Sequence, residues 1–166
     1  MEIIRTMETM FGIGYDIHKL EADRPLVLGG VNIPFEKGLD GDSDADVVCH
    51  SIIDALLGAT GMGDIGSFFG VGTPEVMGAR SLDMLSDLKK HLDENNIGIV
   101  NIDTTIIAQA PKLGDFRSEM ISNISKTLNT KHVSVKFTTP KHIGSLGRSE
   151  AIACLAVLAL KITFRK

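Results

Sequence analysis

Apolar and polar positions repeat on two different periods along the chain, and the changes of period mark its elements. Over residues 12–18 the period is two: Tyr15 and Ile17 fall on one side, Asp16 and His18 on the other, which predicts a strand. Leu26-Val27-Leu28 and Val31-Asn32-Ile33 flank Gly29-Gly30 and predict a hairpin. Helical spacing takes over from Val47 to Gly58, placing Asp46, His50 and Asp54 on one stripe. Residues 62–69 are punctuated by glycine and read as a loop or turn. A second helix is predicted over residues 81–95, with Ser81 as its N-cap and Leu82, Leu85, Leu88 and Leu92 as its apolar stripe. Residues 98–108 are β-branched and strand-like, ending at Ala110-Pro111. A third helix is predicted over 114–128, a strand over 133–138 and a last helix over 149–160. Strands interspersed with helices predict an α+β fold, an α/β sandwich whose mixed β-sheet carries its helices on one face. The other face then lacks helical cover.

Length adds that 166 residues make one domain able to bury a core without disulfides. Residues 1–11 read as an N-terminal extension and residues 12–166 as the domain. A hydrophobic fraction of 43% and a mean hydropathy of +0.15 point to apolar surface held in a subunit interface. The net charge of −4 argues against a nucleic-acid binder with a broad basic face, so a phosphate ligand must be held by local groups or metal. Cys49 and Cys154 lie in apolar runs read as helix, the pattern of buried free thiols in a reducing compartment, and no CxxC supplies a cysteine metal site. Residues 1–11 carry charges of both signs without an apolar run, and Lys161 interrupts the apolar stretch over 151–164. Neither a secretory signal nor a membrane span is expected, and the expected location is the cytoplasm.

The candidate chemistry begins with Asp16 and His18, which the alternation points the same way. His50 is open to two readings: a satisfied core histidine on an apolar helix, or the third member of an Asp/His/His set that leaves a fourth tetrahedral position free for chemistry. On the second reading Asp46 or Asp54, on the same stripe, accepts the other ring N–H of His50. The alternating Asp40, Asp42, Asp44 and Asp46 imitate a calcium loop, but the sixth and twelfth positions counted from Asp40 are Ala45 and Ser51, and from Asp42 they are Val47 and Ile53. One of Asp44 and Asp46 is expected to cap the helix. By composition alone Gly63-Asp64 is an ordinary turn, Thr139 a strand-end residue, and residues 108–113 a strand end broken by proline.

The segments GYDIHKL, VLGGVNIPFEKGL, SDADVVCHSIIDALLGA, MGDIG, NIDTTIIAQAPK and LGRSEAIAC, in this order and spacing, resemble the 2-C-methyl-D-erythritol 2,4-cyclodiphosphate synthases of the non-mevalonate isoprenoid pathway, over about residues 12–160. The resemblance implies a homotrimer with active sites between neighbouring subunits. It implies a diphosphocytidyl substrate cyclised with release of CMP, zinc on Asp16, His18 and His50, and a second divalent ion, Mg²⁺ or Mn²⁺, between the α- and β-phosphates. It further implies a loop of Ala108, Gln109, Ala110, Pro111, Lys112 and Leu113 that reads cytosine through its main chain. Asp64-Ile65-Gly66 matches the ribose-binding segment, Ser43 and Thr138 match substrate contacts, and Thr139 matches the threonine that supports the transition state. Arg148 and Glu150 match positions near the trimer axis, where they pair across subunits or where Arg148 meets an anionic ligand.

Three stretches depart from that pattern. Asp42 stands where a phosphate-facing histidine is usual, and Pro140-Lys141 replaces a Thr-Glu whose glutamate holds the second metal. The segment Phe69-Gly70-Val71-Gly72-Thr73 lacks the usual acidic residue. Either Asp42 takes over as a ligand of the second metal, or the Lys141 ammonium substitutes for that metal at the diphosphate. Two other functions compete: a trimeric zinc- and cytidine-nucleotide-binding module without turnover, and an unrelated metal-dependent hydrolase.

Overall fold

In the computed structural model, which describes residues 5–165, the strand predicted over 12–18 is the middle of a longer one, β1 (Arg5–Ala22). Residues 5–11, read as part of an extension, carry that strand on; residues 1–4 lie outside the described residues. The predicted hairpin is present as β2 (Leu26–Leu28) and β3 (Val31–Ile33), with Gly29 and Gly30 at φ 57° and 71° supplying the left-handed turn. A short strand β4 (Lys37–Leu39), unpredicted, leads to α1 (Val47–Thr60). Then come α2 (Ile65–Phe69), α3 (Ser81–Glu94), β5 (Ile97–Ile107), a single 3-10 turn running into α4 (Arg117–Leu128), β6 (Val133–Thr138), α5 (Gly144–Gly147) and β7 (Ala151–Arg165). The main sheet has five strands in the order β4-β1-β7-β5-β6; β5 and β6 run parallel and the other pairs antiparallel, so the sheet is mixed.

The last helix predicted over 149–160 is corrected to β7, and Cys154 with it moves from helix to strand. This strand is hydrogen-bonded to β1 on one side and β5 on the other, and it is apolar on both faces, so its sequence shows no period. Its alanines favour helix locally, and the ladder overrides them. Ile152, Cys154, Ala156, Leu158 and Leu160 are buried under the helices, while Val157 points out from the other side.

The period-two pattern of β1 decides how closely α1 lies on the sheet. Gly12 and Gly14 fall on the same side as Asp16 and His18. A Cβ at Gly12 would sit 1.9 Å from the Ala55 carbonyl oxygen, and one at Gly14 2.0 Å from that of Ser51. The two glycines thus let the α1 backbone rest on β1 and bring His50 to the level of Asp16. On the opposite face Phe11 and Ile13, 72% and 68% exposed, and Tyr15, Ile17 and Val157 form an open apolar surface. The helices lie on one face, as the pattern predicts.

Two helix starts differ from expectation. At α3 the N-cap is Arg80, which makes no side-chain cap, and Ser81 is the first helical residue. Its N–H is taken by the Asp44 carboxylate at 3.1 and 3.2 Å, a cap supplied from far along the chain. Residues 62–69 contain a short helix rather than only a loop, because Asp64 and Ser67 form a capping box.

Candidate metal and nucleotide site

Asp16 Oδ2 lies 3.1 Å from His18 Nε2 and 3.1 Å from His50 Nδ1, and the three ligand atoms are all within 4.8 Å of one another. What the far ring nitrogens touch assigns the tautomers. His18 Nδ1 faces the Asp40 carbonyl, which only accepts, so that nitrogen carries the proton and Nε2 presents a lone pair. The Arg24 guanidinium holds the carbonyl's loop, bonding Asp40 Oδ1 at 2.6 Å and the Gly41 oxygen at 2.9 Å. His50 Nε2 lies 2.9 Å from Ser81 Oγ and 3.1 Å from Ser43 Oγ. The Ser81 hydroxyl donates to Asp44, and Ser43 Oγ accepts from Ala45 N–H, so His50 Nε2–H is the donor and Nδ1 presents its lone pair. One carboxylate oxygen therefore faces two unprotonated imidazole nitrogens, an arrangement that calls for a cation between them.

Where no ion lies between them, protons on the imidazoles fill the same role: partial burial opposes charge on Asp16, but hydrogen bonds from protonated His18 and His50 outweigh it and hold the carboxyl below the usual carboxylate range. Asp16 in turn raises the pKa of His18 above 6.5 against the opposing effect of burial. Asp16, His18 and His50 form a group able to hold a divalent metal ion.

The support of His50 is corrected: neither the Asp46 nor the Asp54 carboxylate bonds its ring, whose partners are Asp16, Ser43 and Ser81. Asp46, wholly buried, caps α1 by accepting from Val48 and Cys49 N–H at 3.0 and 3.2 Å, and accepts from Gly29 and Gly30 N–H at 2.9 and 2.7 Å. Asp54 Oδ1 accepts the Ile65 N–H at 2.8 Å, tying α1 to the next segment. The residues that sequence reading missed, Ser81, Asp44 and Asp40, reach the imidazoles through contacts between distant segments. Ser81 had shown only a helix-start signal.

Beside the three ligands is a pocket of about 190 Å³ whose wall includes Asp42, Ser43, Ile65 and Gly66. Asp42 Oδ2 accepts the Gly72 N–H at 3.1 Å, so this departure from the family pattern holds the neighbouring glycine loop. Asp64 spends one oxygen on Ser67 N–H at 2.7 Å, and these Ser67 hydrogen bonds lower its pKa.

A larger cavity, about 570 Å³, opens beyond the C-terminal ends of the parallel pair β5 and β6, a placement favoured for ligands in open sheets. It is lined by Ala108, Gln109, Pro111, Lys112 and Leu113 from one loop and by Thr138, Thr139 and Lys141 from the other. Ala110 lies in the first loop without lining this cavity. Arg148 and Glu150 line neither pocket; they pair with each other at 2.7 Å, exposed.

Register fixes the relation of the two pockets. Asp16 pairs with Cys154, Cys154 with Ile106, and Ile106 with Phe137, so metal group and cavity stand at one level of the sheet, the near wall at Ile106 two strand steps or roughly 10 Å from Asp16.

The YgbB family model matches residues 9–161. The 2-C-methyl-D-erythritol 2,4-cyclodiphosphate synthase of Desulfatibacillum aliphaticivorans is 47% identical over 152 residues, 90% of this chain and 98% of its own. The protein of the same name from Laribacter hongkongensis is 46% identical over 157 residues, 93% of this chain and 97% of its own. Among solved structures, the bifunctional IspDF from Campylobacter jejuni superposes with a TM-score of 0.90 at 39% identity over 96% of this chain, which spans 44% of that longer one. The IspF of Plasmodium falciparum, solved as a CDP complex, has a TM-score of 0.81 at 37% identity, over 92% of this chain and 95% of its own. The described residues include no helix long and apolar enough to cross a membrane. The chain belongs to the YgbB family.

Proposed function

We propose that this chain converts 4-diphosphocytidyl-2-C-methyl-D-erythritol 2-phosphate into 2-C-methyl-D-erythritol 2,4-cyclodiphosphate and CMP. The observation that carries the reading is the pairing of an Asp/His/His group, whose two histidines line one pocket, with a cavity walled by the 108–113 loop. In the reaction an oxygen of the 2-phosphate bonds to the β-phosphorus, the bond from that phosphorus to the bridging oxygen breaks, and CMP leaves with the electron pair. No covalent enzyme intermediate is needed, so the residues bind, fold the substrate back on itself and offset charge.

Asp16, His18 and His50 would hold the metal, and two neutral imidazoles with one carboxylate suit zinc. When bound, it supplies Lewis acidity toward a phosphate oxygen. Residues 108–113 read the cytosine edge through main-chain groups, and Thr138 adjoins them in the wall. Asp64 and Gly66, with Ile65 between, receive the ribose hydroxyls: one Asp64 oxygen caps α2 and the other is left for sugar. Ser43 contacts substrate as well as His50, and Thr139 supports the transition state. Lys141 stands in place of the glutamate that would hold a second divalent ion, Mg²⁺ or Mn²⁺, and its ammonium takes over the neutralising of the diphosphate. Asp42, occupied with the Gly72 N–H, is left to shape the loop.

The open apolar surface of Phe11, Ile13, Tyr15, Ile17 and Val157 supports a homotrimer in which neighbouring subunits complete each site, with Arg148 and Glu150 toward its axis. Free buried Cys49 and Cys154 support a reducing, cytoplasmic location. Lys141 also favours a second reading, a binding module without turnover, which the release of CMP decides.

Base readout is tested by thermal unfolding with nucleotides. CMP and CDP should raise Tm more than AMP and ADP at equal concentration, by an amount that grows with ligand; at 100 times Kd the stabilisation is about 2.7 kcal/mol. Equal shifts for purine and pyrimidine nucleotides would leave only a general phosphate site.

A further inference from the structure

Pro140 to Ile143 form a tight turn closed by the Ile143 N–H on the Pro140 carbonyl at 3.0 Å. Its two central residues, Lys141 and His142, have φ of 54° and 63°. Positive φ at both central positions makes this a type I′ turn, for which Asn-Gly is the favoured filling. A Lys-His pair is strained there, and such strain persists only where the surroundings impose it, most often beside ligands.

Two contacts impose it. Gly147 is packed so closely beneath the turn that a Cβ there would lie 2.2 Å from the His142 carbonyl carbon. From above, Gln109 Oε1 accepts the His142 N–H at 3.0 Å. Gly147 belongs to the turn's own segment, whereas Gln109 belongs to the loop that walls the 570 Å³ cavity, which Lys141 also lines. Lys141 makes no ion pair among the described residues. An ammonium is a point charge on a flexible stem, so where it can act depends on how its backbone is held.

We propose that the Gln109 side chain is a positioning residue. By clamping the 140–143 turn to the base loop it fixes the Lys141 ammonium against the diphosphate, so that nucleobase and diphosphate are recognised as one unit. This rests on the cytidine-nucleotide reading above. It assigns Gln109 a role distinct from main-chain base readout, acting on phosphate through another residue.

The test is calorimetric titration of the whole protein with cytidine and with CDP. The variants are wild type, Lys141→Ala, Gln109→Ala, their double mutant, and Gln109→Ala combined with His142→Gly. The preference for CDP over cytidine should fall about tenfold in each single variant, the size of one charge-assisted hydrogen bond. The double mutant should fall no further than either single one, because the two residues act through one contact. His142→Gly should restore the preference in the Gln109→Ala background, since glycine adopts positive φ without a clamp. An unchanged preference in Gln109→Ala, additive losses in the double mutant, or failure of His142→Gly to rescue would each overturn the proposal. Wild-type protein that binds neither cytidine nor CDP would overturn the cytidine reading itself, a result distinct from all of these.

Discussion

His50→Ala is expected to lose its metal on dialysis and to lose turnover with it. The variant removes one of three ligands, and it does so beneath a network that has already set the other ring nitrogen as donor to Ser81 and Ser43. Removing only a supporting partner of a ligand typically costs ~10–100-fold in metal affinity. Loss of a ligand itself should cost more, and Ser81→Ala, which frees the imidazole to turn, should fall within that smaller range. Metal content measured after dialysis against zinc-free buffer checks the order: wild type near one ion per chain, Ser81→Ala lower, His50→Ala near none. Full occupancy in His50→Ala would remove it from the ligand set.

Asp46→Ala should be the most destabilising substitution of a polar residue in the chain. Its buried carboxylate satisfies four backbone N–H groups at once, two that start α1 and two at the β2–β3 turn. Burial raises its pKa, and the hydrogen bonds from Gly30, Gly29 and Cys49 oppose that shift. Losing a cap costs roughly 0.5–2 kcal/mol, and each buried N–H left unpaired about 1–3 kcal/mol. A total of about 4 kcal/mol is a large part of the ~5–15 kcal/mol that stabilises an ordinary domain. A urea midpoint at constant slope measures it. Asp46→Asn, which keeps one acceptor oxygen, should lose less, and a loss below about 1 kcal/mol for Asp46→Ala would refute the shared-cap account.

What could be read from the sequence followed the reach of its periods. Tyr15 and Ile17 against Asp16 and His18 gave the strand and the shared face, and Gly12 and Gly14 on that same face carried an unused sign that a helix lies close. Residues 151–160 hid their strand because a central strand is apolar on both sides, which erases the alternation. The stripe Asp46, His50, Asp54 was geometrically right but named the wrong partners for His50. A helical stripe says which residues neighbour each other on the helix, whereas the His50 ring reaches across to Ser43 and to the first residue of α3. Lys141 was legible as a departure from the family pattern, but its left-handed backbone and the Gln109 clamp exist only where the 109 loop meets the 140–143 turn.

The central claim, turnover in which Lys141 stands in for a second divalent ion, is tested most directly by CMP release from 4-diphosphocytidyl-2-C-methyl-D-erythritol 2-phosphate. The zinc-loaded protein would be titrated with Mg²⁺ as wild type, Asp42→Ala and Lys141→Glu. Wild type should release CMP and form the cyclic diphosphate in equal amounts without added Mg²⁺, Asp42→Ala should keep that independence, and Lys141→Glu should acquire a Mg²⁺ requirement. A wild-type protein that releases no CMP at any Mg²⁺ or Mn²⁺ concentration with zinc bound would contradict the enzyme reading.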